Sequence, residues 1–389
     1  MRLGTRGFRF DLRELSGALG DLGVLLPLSV GLISLNGLHP AAVFLPAGLL
    51  YLGAALRYRL PIPVQPLKSM AAVALAMGLS ARVMSAGGIL FGALMIGLAA
   101  SGLVNPVGRL ISKPLVRGIQ ISVGVLLVWS GGRLAMSQPA WGAPTALLVA
   151  ALTMAALLAL GGSRRVPAAL LVLVAGGVAG ALFGGQPLTP AGGTFGFSMP
   201  RGSEWLQALV YLLLPQIPLT LTNAVAATRQ TARDYFGEEA RRVTYRSLSF
   251  GMGAAGVVAG LTGGMPVCHG SGGLTAHYRL GARTGGAPVI MGVLCLAAAG
   301  AAALHWPLPL GLVPTSVFGG MLVYVGLHHA LLARDLQHFP AEMGVAVAMG
   351  LVTAATRNIG IGFAAGVILL VAVRAVARLR GRRQADART

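Results

Sequence analysis

Apolar runs of about 15 to 20 residues recur along almost the whole chain, separated by short segments with turn residues and positive charge. A helix of that length can cross a hydrocarbon core of roughly 30 Å. The chain is 55% hydrophobic and 10% charged, whereas soluble domains carry roughly 25% charged residues. Its 57 glycines are typical of closely packed transmembrane helices. These features exclude a soluble globular protein and predict an all-α integral membrane protein.

The formal net charge of +20 would favour a nucleic-acid partner in a soluble protein. Here the basic residues cluster between apolar runs, so we interpret them as cytoplasmic loop charge beside membrane lipid. Two cysteines cannot form a disulfide framework or a four-thiolate metal site. The sequence contains no phosphate-binding loop and no nucleophile elbow. We therefore expect no nucleic-acid partner, no cofactor, no metal and no enzymatic activity.

Fourteen apolar segments can be placed, seven on each side of a polar loop at 185-203. We predict a first repeat at 1-184, an extracytoplasmic connecting loop at 185-203, a second repeat at 204-376 and a basic cytoplasmic tail at 377-389. The predicted spans are 15-35, 41-56, 67-81, 84-104, 118-132, 143-160, 166-184, 205-227, 247-262, 268-280, 287-304, 311-332, 342-356 and 358-376. The third and the tenth are short.

The distribution of positive charge tests this topology, because cytoplasmic loops should hold the excess of Lys and Arg. With the N-terminus inside, 25 of the 30 Lys and Arg residues fall in inner segments. The outer segments receive four, and Lys68 lies within a span. A miscounted span would mix the two groups, so fourteen crossings with both termini cytoplasmic are favoured. Twelve crossings with two re-entrant segments are the alternative.

The two short spans begin with similar proline-containing motifs, PVQPLKSM from Pro63 and PVCHGSGG from Pro266. Proline lacks an amide hydrogen and favours extended backbone before it. Each motif therefore predicts an extended stretch followed by a half-helix that begins near the middle of the membrane. An odd number of spans per half inverts the second repeat, and paired broken helices mark the binding site in such transporters.

The charge of this predicted site indicates its ligand. Each helix N-terminus behaves as about half a positive charge with unpaired amides, and Lys68 would be costly in the membrane without an anionic partner. Two termini and one lysine suit a divalent oxyanion. Glycines would let amides approach its oxygens, and polar side chains would donate hydrogen bonds. The predicted binding residues are Gln65, Lys68, Ser69, Cys268, His269, Gly270, Ser271, Gly272 and Gly273.

Asp21 lies within the first span, and the matching region of the second half contains Thr222 and Asn223. An acid inside a span is a functional candidate. We predict that Asp21 accepts a coupling proton or braces the half-helix opposite it, with Thr222 and Asn223 as its counterparts in the second half. A purely structural carboxylate that pairs with Lys68 or caps a helix is the alternative reading of Asp21.

The motifs PVQPLKSM at 63-70 and GGMPVCHGSGGLTAHYRLGARTGG at 263-286 resemble the two signatures of the molybdate transporter family related to sulfate permeases. The stretch PQIPLTLTNAVAATRQTARDYFG from Pro215 is also similar to that family. The resemblance implies seven-plus-seven inverted repeats with core and gate domains, and molybdate uptake with sulfate as a related substrate. Leu67, Ser69, Ser271 and His277 replace the family's usual Met, Ala, Ala and Gln. His277 bears on coupling or selectivity.

The expected function is secondary active import of a tetrahedral oxyanion, molybdate first, by alternating access. A sulfate permease is the near alternative, and a nucleobase carrier of the same fold is a more distant one. A membrane scaffold would not need a lysine and two broken helices at mid-membrane. We expect a bacterial-type inner membrane location with both termini cytoplasmic, and a proton as the simplest co-transported cation. A homodimer is left open.

Overall fold

The computed structural model describes residues 7–137, 142–161, 167–183, 185–188 and 195–386. Several sequence predictions fall partly outside these residues. They involve positions 1–6 with Arg2 and Arg6, the basic pair Arg164 and Arg165, the two ends of the predicted seventh span at 166 and 184, positions 189–194 of the predicted connecting loop, and positions 387–389 of the predicted tail.

The chain is helical along most of its described length. The helices of the first half are α1 (Leu12–Leu19), α2 (Leu22–Asn36), α3 (Pro40–Tyr58), α4 (Lys68–Met77), α5 (Ala81–Ser101), α6 (Val104–Leu110), α7 (Lys113–Ala135), α8 (Gly142–Leu160) and α9 (Ala168–Leu182). Those of the second half are α10 (Gly202–Gln207), α11 (Leu214–Leu219), α12 (Thr228–Phe236), α13 (Tyr245–Thr262), α14 (Ser271–Arg279), α15 (Gly286–Ala303), α16 (Thr315–Leu331), α17 (Pro340–Thr356) and α18 (Ile359–Asp386). Two short strands are β1 (Gln65–Pro66) and β2 (Val267–Cys268).

Eight helices in the described residues are long and apolar enough to cross a membrane, or up to nine when α1 and α2 count as one span bent by 43°. The prediction of an all-α membrane protein is therefore confirmed. Each of the fourteen predicted spans contains helix. The count of fourteen crossings stays a prediction, because α4, α9, α14 and α17 are shorter than a regular span.

The predicted eighth span is one long irregular helix that runs from α10 to α12. Between its α-helical pieces lie π-helical turns at Ala208–Leu213 and Thr220–Ala227. Pro215 and Pro218 cannot donate backbone hydrogen bonds, so the regular helical ladder is interrupted here. π-Helical turns inside α-helices occur frequently at functional sites.

The two strands pair with one another and connect the predicted repeats at their broken helices. They run antiparallel, with Gln65 opposite Cys268 and Pro66 opposite Val267. The half-helix α4 begins two residues after β1, and α14 begins three residues after β2. The N-termini of the two half-helices therefore lie close together, as the motifs PVQPLKSM and PVCHGSGG predict.

The long helices pack in pairs. Helix α3 packs on α15, α5 packs on α13, and α7 packs on α16. In a seven-plus-seven repeat the second and fourth spans correspond to the ninth and eleventh, so the pairs α3 with α15 and α13 with α5 are equivalent. Close contact needs glycine: a β-carbon on Gly88 would lie 2.7 Å from the Gly260 amide nitrogen. The division into core and gate domains stays a prediction.

Candidate functional site

A chain of hydrogen bonds connects Lys68 to Asp21. The Lys68 ammonium donates to Gln65 Oε1 at 2.7 Å, and Gln65 Nε2 donates to Asp21 Oδ1 at 2.5 Å. Lys68 is the first residue of α4, and Gln65 lies in β1. The broken helix therefore places a positive charge at its own N-terminus, with a carboxylate one side chain away.

Asp21 is buried at the bend between α1 and α2, where only 1% of it is exposed. Besides Gln65, its carboxylate accepts a hydrogen bond from the Tyr51 hydroxyl at 2.6 Å. His277 Nε2 lies 3.3 Å from Asp21 Oδ2. Four elements meet at this carboxylate, namely the α1–α2 bend, α3, β1 and α14. The sequence indicated Asp21, but Tyr51 carried no signal that would distinguish it from other span tyrosines.

Two histidines of the second motif hold the extended segment that precedes β1. His269 Nδ1 lies 2.9 Å from the Pro63 carbonyl oxygen, and His277 Nδ1 lies 2.9 Å from that of Pro61. A carbonyl only accepts, so each Nδ1 carries a hydrogen. His269 also lines a cavity of about 610 Å³ between α3 and α13, and its buried Nε2 has no hydrogen-bond partner among the described residues. Its role as an anion ligand stays a prediction.

The N-terminus of α4 is capped by a residue that sequence analysis missed. Gln216 Oε1 accepts from the backbone amides of Ser69 at 3.1 Å and Met70 at 3.2 Å. Its Nε2 donates to Thr220 Oγ1 at 3.0 Å, which fixes the amide orientation. The only available signal was a glutamine between two prolines within a span. The expectation that both half-helices present free amides is therefore wrong for α4 in this conformation.

The N-terminus of α14 is open. In the described chain, no acceptor bonds the backbone amides of 271, 272 and 273, and Gly270 provides no side-chain cap. A β-carbon built on Gly270 would lie 3.9 Å from Lys68 Nζ, so the ammonium stands beside this helix end. Ser271 Oγ donates to Asn223 Oδ1 at 3.0 Å, so Asn223 of the irregular helix contacts the same end.

The three predicted glycines differ in their surroundings. A β-carbon on Gly273 would lie 2.7 Å from Gln65 Nε2 and 2.8 Å from Asp21 Oδ1. Gly273 therefore lets α14 approach the Asp21–Gln65 pair. A β-carbon on Gly272 would meet nothing within 4 Å. Gly272 instead lines a cavity of about 270 Å³ between α14 and the helices α9 and α16.

The remaining predicted residues lie near the site with less direct roles. Ser69 is fully buried, and its hydroxyl has no hydrogen-bond partner among the described residues. Thr222 Oγ1 donates to the Pro218 carbonyl at 2.7 Å, so it satisfies the backbone of the irregular helix. Cys268 is buried in β2 opposite Gln65.

The arrangement combines one ammonium, one open helix N-terminus and neutral hydrogen-bond donors. An anion seated beside Lys68 would meet the positive end of α14, whose partial charge adds to that of the lysine. No group of three or more His, Cys, Asp or Glu side chains in the described residues is arranged to hold a metal ion. The site can thus bind an anion through charge and hydrogen bonds.

Solved structures of two membrane transporters have a similar fold. The transmembrane domain of a cyanobacterium bicarbonate transporter, BicA, superposes with a TM-score of 0.66 at 18% identity, covering 93% of this chain and 98% of that chain. Murine Slc26a9, an anion transporter in the inward-facing state, gives 0.67 at 13% identity, covering 96% and 69%. At these identities the similarity shows the fold alone.

Sequence comparison identifies the family. A family model described as "Molybdate transporter of MFS superfamily" matches residues 13–127 and 208–328. Molybdate transporter 1 of Arabidopsis thaliana is 30% identical, covering 94% of this chain and 88% of the relative. Molybdate transporter 1 of Chlamydomonas reinhardtii is 29% identical, covering 95% and 92%. These relatives are membrane transporters and not enzymes. The chain belongs to the molybdate transporter family.

Proposed function

We propose that this protein is a secondary active transporter that imports a tetrahedral oxyanion, with molybdate as its substrate. The anion binds at the open N-terminus of α14 beside Lys68, and alternating access carries it across the membrane. The names of the relatives support the choice of molybdate, and the site's positive charge supports the choice of an oxyanion.

The single observation that carries the proposal is the position of Lys68 beside the uncapped end of α14, where a β-carbon built on Gly270 would lie 3.9 Å from Nζ. Lys68 is hydrogen-bonded only to the neutral Gln65 side chain among the described residues. A lysine inside a membrane protein needs an anionic partner. Asp21 does not pair with Lys68 directly, because the Gln65 side chain lies between them. A bound dianion would supply that partner and accept hydrogen bonds from the free amides of 271–273.

Import against the membrane potential needs a coupling ion. A dianion that enters a negative cytoplasm climbs about 2.3 kcal/mol per charge for each 100 mV. We propose a proton as the co-transported cation, with Asp21 as the acid that senses it. The hydrogen bond from Gln65 to Asp21 supports this role, because Gln65 also accepts from Lys68 and so connects the carboxylate to it.

Sulfate is the second candidate substrate, since it is also a tetrahedral dianion. A nucleobase is disfavoured by the irregular helix, whose polar residues at the site are the neutral Gln216, Thr220 and Asn223. A carboxylate there would be needed to hydrogen-bond the donor edge of a base.

We further propose that both termini lie on the cytoplasmic side of a bacterial-type inner membrane. The loop charge supports this orientation, because 25 Lys and Arg residues fall in inner segments and four in outer segments.

Uptake into proteoliposomes tests the function. Purified protein is reconstituted and supplied with radiolabelled molybdate, with unlabelled molybdate, tungstate, sulfate, bicarbonate and uracil as competitors. We expect the tetrahedral dianions to compete, molybdate at the lowest concentration, and uptake to rise when the outside is acidified. Competition by bicarbonate or uracil alone would contradict the oxyanion assignment.

A further inference from the structure

We propose that Asp21 and His277 form a buried proton-binding site, in which one proton is held between the carboxylate and the imidazole and is coupled to anion binding. The proposal rests on the anion site described above for its coupling, while the proton itself can be tested without any anion. It assigns a specific role to His277, which the sequence analysis connected with coupling or selectivity without naming its partner.

The hydrogen bond to Pro61 determines the tautomer of His277. Its Nδ1 lies 2.9 Å from the Pro61 carbonyl oxygen, which can only accept a hydrogen bond. The ring hydrogen of a neutral His277 is therefore on Nδ1. Nε2 then carries a lone pair and no hydrogen.

The other ring nitrogen of His277, Nε2, faces the carboxylate of Asp21. It has no hydrogen-bond partner among the described residues, and Asp21 Oδ2 lies 3.3 Å away. Both side chains are 0% exposed, and a separation of 3.3 Å leaves no room for a water between the two atoms. A neutral ring and an ionised carboxylate would place two lone pairs against each other in a buried site. One added proton turns this contact into a hydrogen bond, either as imidazolium with carboxylate or as imidazole with carboxylic acid.

Several ionisable groups surround the pair of Asp21 and His277. Tyr51 of α3 donates its hydroxyl to Asp21 Oδ2. The other groups within electrostatic reach of Asp21 are Lys68 of α4, Cys268 and His269 at β2, and Cys295 of α15. Lys68 is the one lysine in this set and supplies a positive charge beside the pair. A second positive charge is therefore added at the pair only when it takes up the proton.

The proton site is connected to the anion site through Gln65. The hydrogen bonds from Lys68 to Gln65 and from Gln65 to Asp21 join the anion site to the proton site. A dianion that engages Lys68 brings negative charge toward the pair, so it strengthens proton binding. Linkage is reciprocal, so the proton strengthens anion binding by the same factor. Anion and proton are then carried together.

The proton is tested first in protein without anion. The chain has seven histidines, so ¹⁵N-histidine labelling with His277→Gln for assignment resolves the ring nitrogens of His277. Infrared difference spectra with Asp21→Asn identify the carboxyl of Asp21. We expect either a doubly protonated His277 ring or a protonated Asp21 carboxyl at neutral pH. A neutral His277 with bare Nε2 beside an ionised Asp21, between about pH 5 and 8, overturns the proposal.

The coupling is tested by calorimetric titration of molybdate at several pH values and in buffers of different ionisation enthalpy. Where the pair of the anion-free protein has lost its proton, we expect uptake of one proton per anion and up to a tenfold rise in Kd per pH unit. His277→Gln offers Asp21 a neutral amide donor, so the fold is kept while this pH dependence disappears. His328→Gln changes an exposed histidine of α16 and is the matched control.

The outcomes separate the two proposals. Equal proton uptake by wild type and His277→Gln would remove His277 from the coupling. Absence of anion binding in the wild type would contradict the proposed function, yet the spectra without anion would still decide whether the pair holds a proton.

Discussion

The side-chain oxygen of Gln216 lies 3.1 Å from the amide nitrogen of Ser69 and closes the N-terminus of α4. The equivalent end of α14 has no such cap, because its N-cap residue is Gly270. The two half-helices therefore differ in what they can offer an anion. Lys68 belongs to the capped half-helix but stands beside the open one.

Gln216→Glu tests this asymmetry. A carboxylate keeps the acceptor for the amides of Ser69 and Met70 but loses the donor to Thr220, whose hydroxyl can donate to the carboxylate instead. We therefore expect a folded protein with a smaller drop in melting temperature than Gln216→Leu. The carboxylate also adds a negative charge near the anion, so we expect molybdate affinity to fall by about tenfold or more, which is about 1.4 kcal/mol. The measurement is calorimetry with thermal unfolding of the same preparation.

Gln216→Leu is the complementary change. It leaves two buried amides without an acceptor, which costs about 1–3 kcal/mol of stability. We expect a lower melting temperature that partly recovers with molybdate. Full affinity in the Glu variant would show that the anion lies far from α4.

The glycines of α14 provide a matched pair. Gly273→Ala would place a β-carbon against Gln65 and Asp21, so we expect a loss of about 1–3 kcal/mol of stability and at least tenfold weaker anion binding. Gly272→Ala adds a methyl group in open space and keeps the amide, so we expect near wild-type values. Thermal unfolding and molybdate titration measure both. Equal defects in the two variants would contradict the placement of α14.

Ser271→Ala tests whether the serine hydroxyl is an anion ligand. The hydroxyl is already used as a donor to Asn223, at 3.0 Å. Loss of this hydrogen bond should lower the free energy of unfolding by about 0.5–1.5 kcal/mol. We expect molybdate affinity to weaken by less than about tenfold. Uptake abolished in a well-folded Ser271→Ala protein would mean that the hydroxyl contacts the anion directly.

The sequence predicted the broken helices because proline and charge leave a clear pattern. The proline motifs predicted two extended stretches before half-helices, which the structure shows as the paired strands β1 and β2. The cost of a lysine in a membrane pointed to Lys68. Asp21 was found by the same argument, since an acid within a span is rare. These predictions depend on local chemistry that a single sequence displays.

Contacts between distant segments could not be predicted in the same way. Gln216 contacts residues almost 150 positions earlier, and nothing in PQIP indicates which helix end it caps. Glu14 is another case, since it is 1% exposed and accepts from the backbone amides of Arg283, Thr284 and Ala287. As a charged residue near an end of the first span, it resembled ordinary surface charge.

Glu14→Ala should therefore destabilise the protein without a specific effect on the site. Three amides at and before the start of α15 would lose their acceptor, and we expect a cost of about 2 kcal/mol or more. Glu14→Gln keeps one acceptor oxygen and should be milder. Thermal unfolding in detergent measures the stability, and molybdate affinity of the folded fraction is the control. A stable Glu14→Ala protein would contradict the contact.

The most direct test of the account is molybdate binding to Lys68→Gln, measured by calorimetry on monodisperse protein. The chain has one other lysine, Lys113, whose side chain is 51% exposed and paired with Asp335, so Lys113→Gln is the matched control. Loss of the charge beside α14 should weaken binding by about 100-fold or more, close to 3 kcal/mol, while Lys113→Gln binds like wild type. Wild-type affinity in a folded Lys68→Gln protein would contradict the proposed anion site.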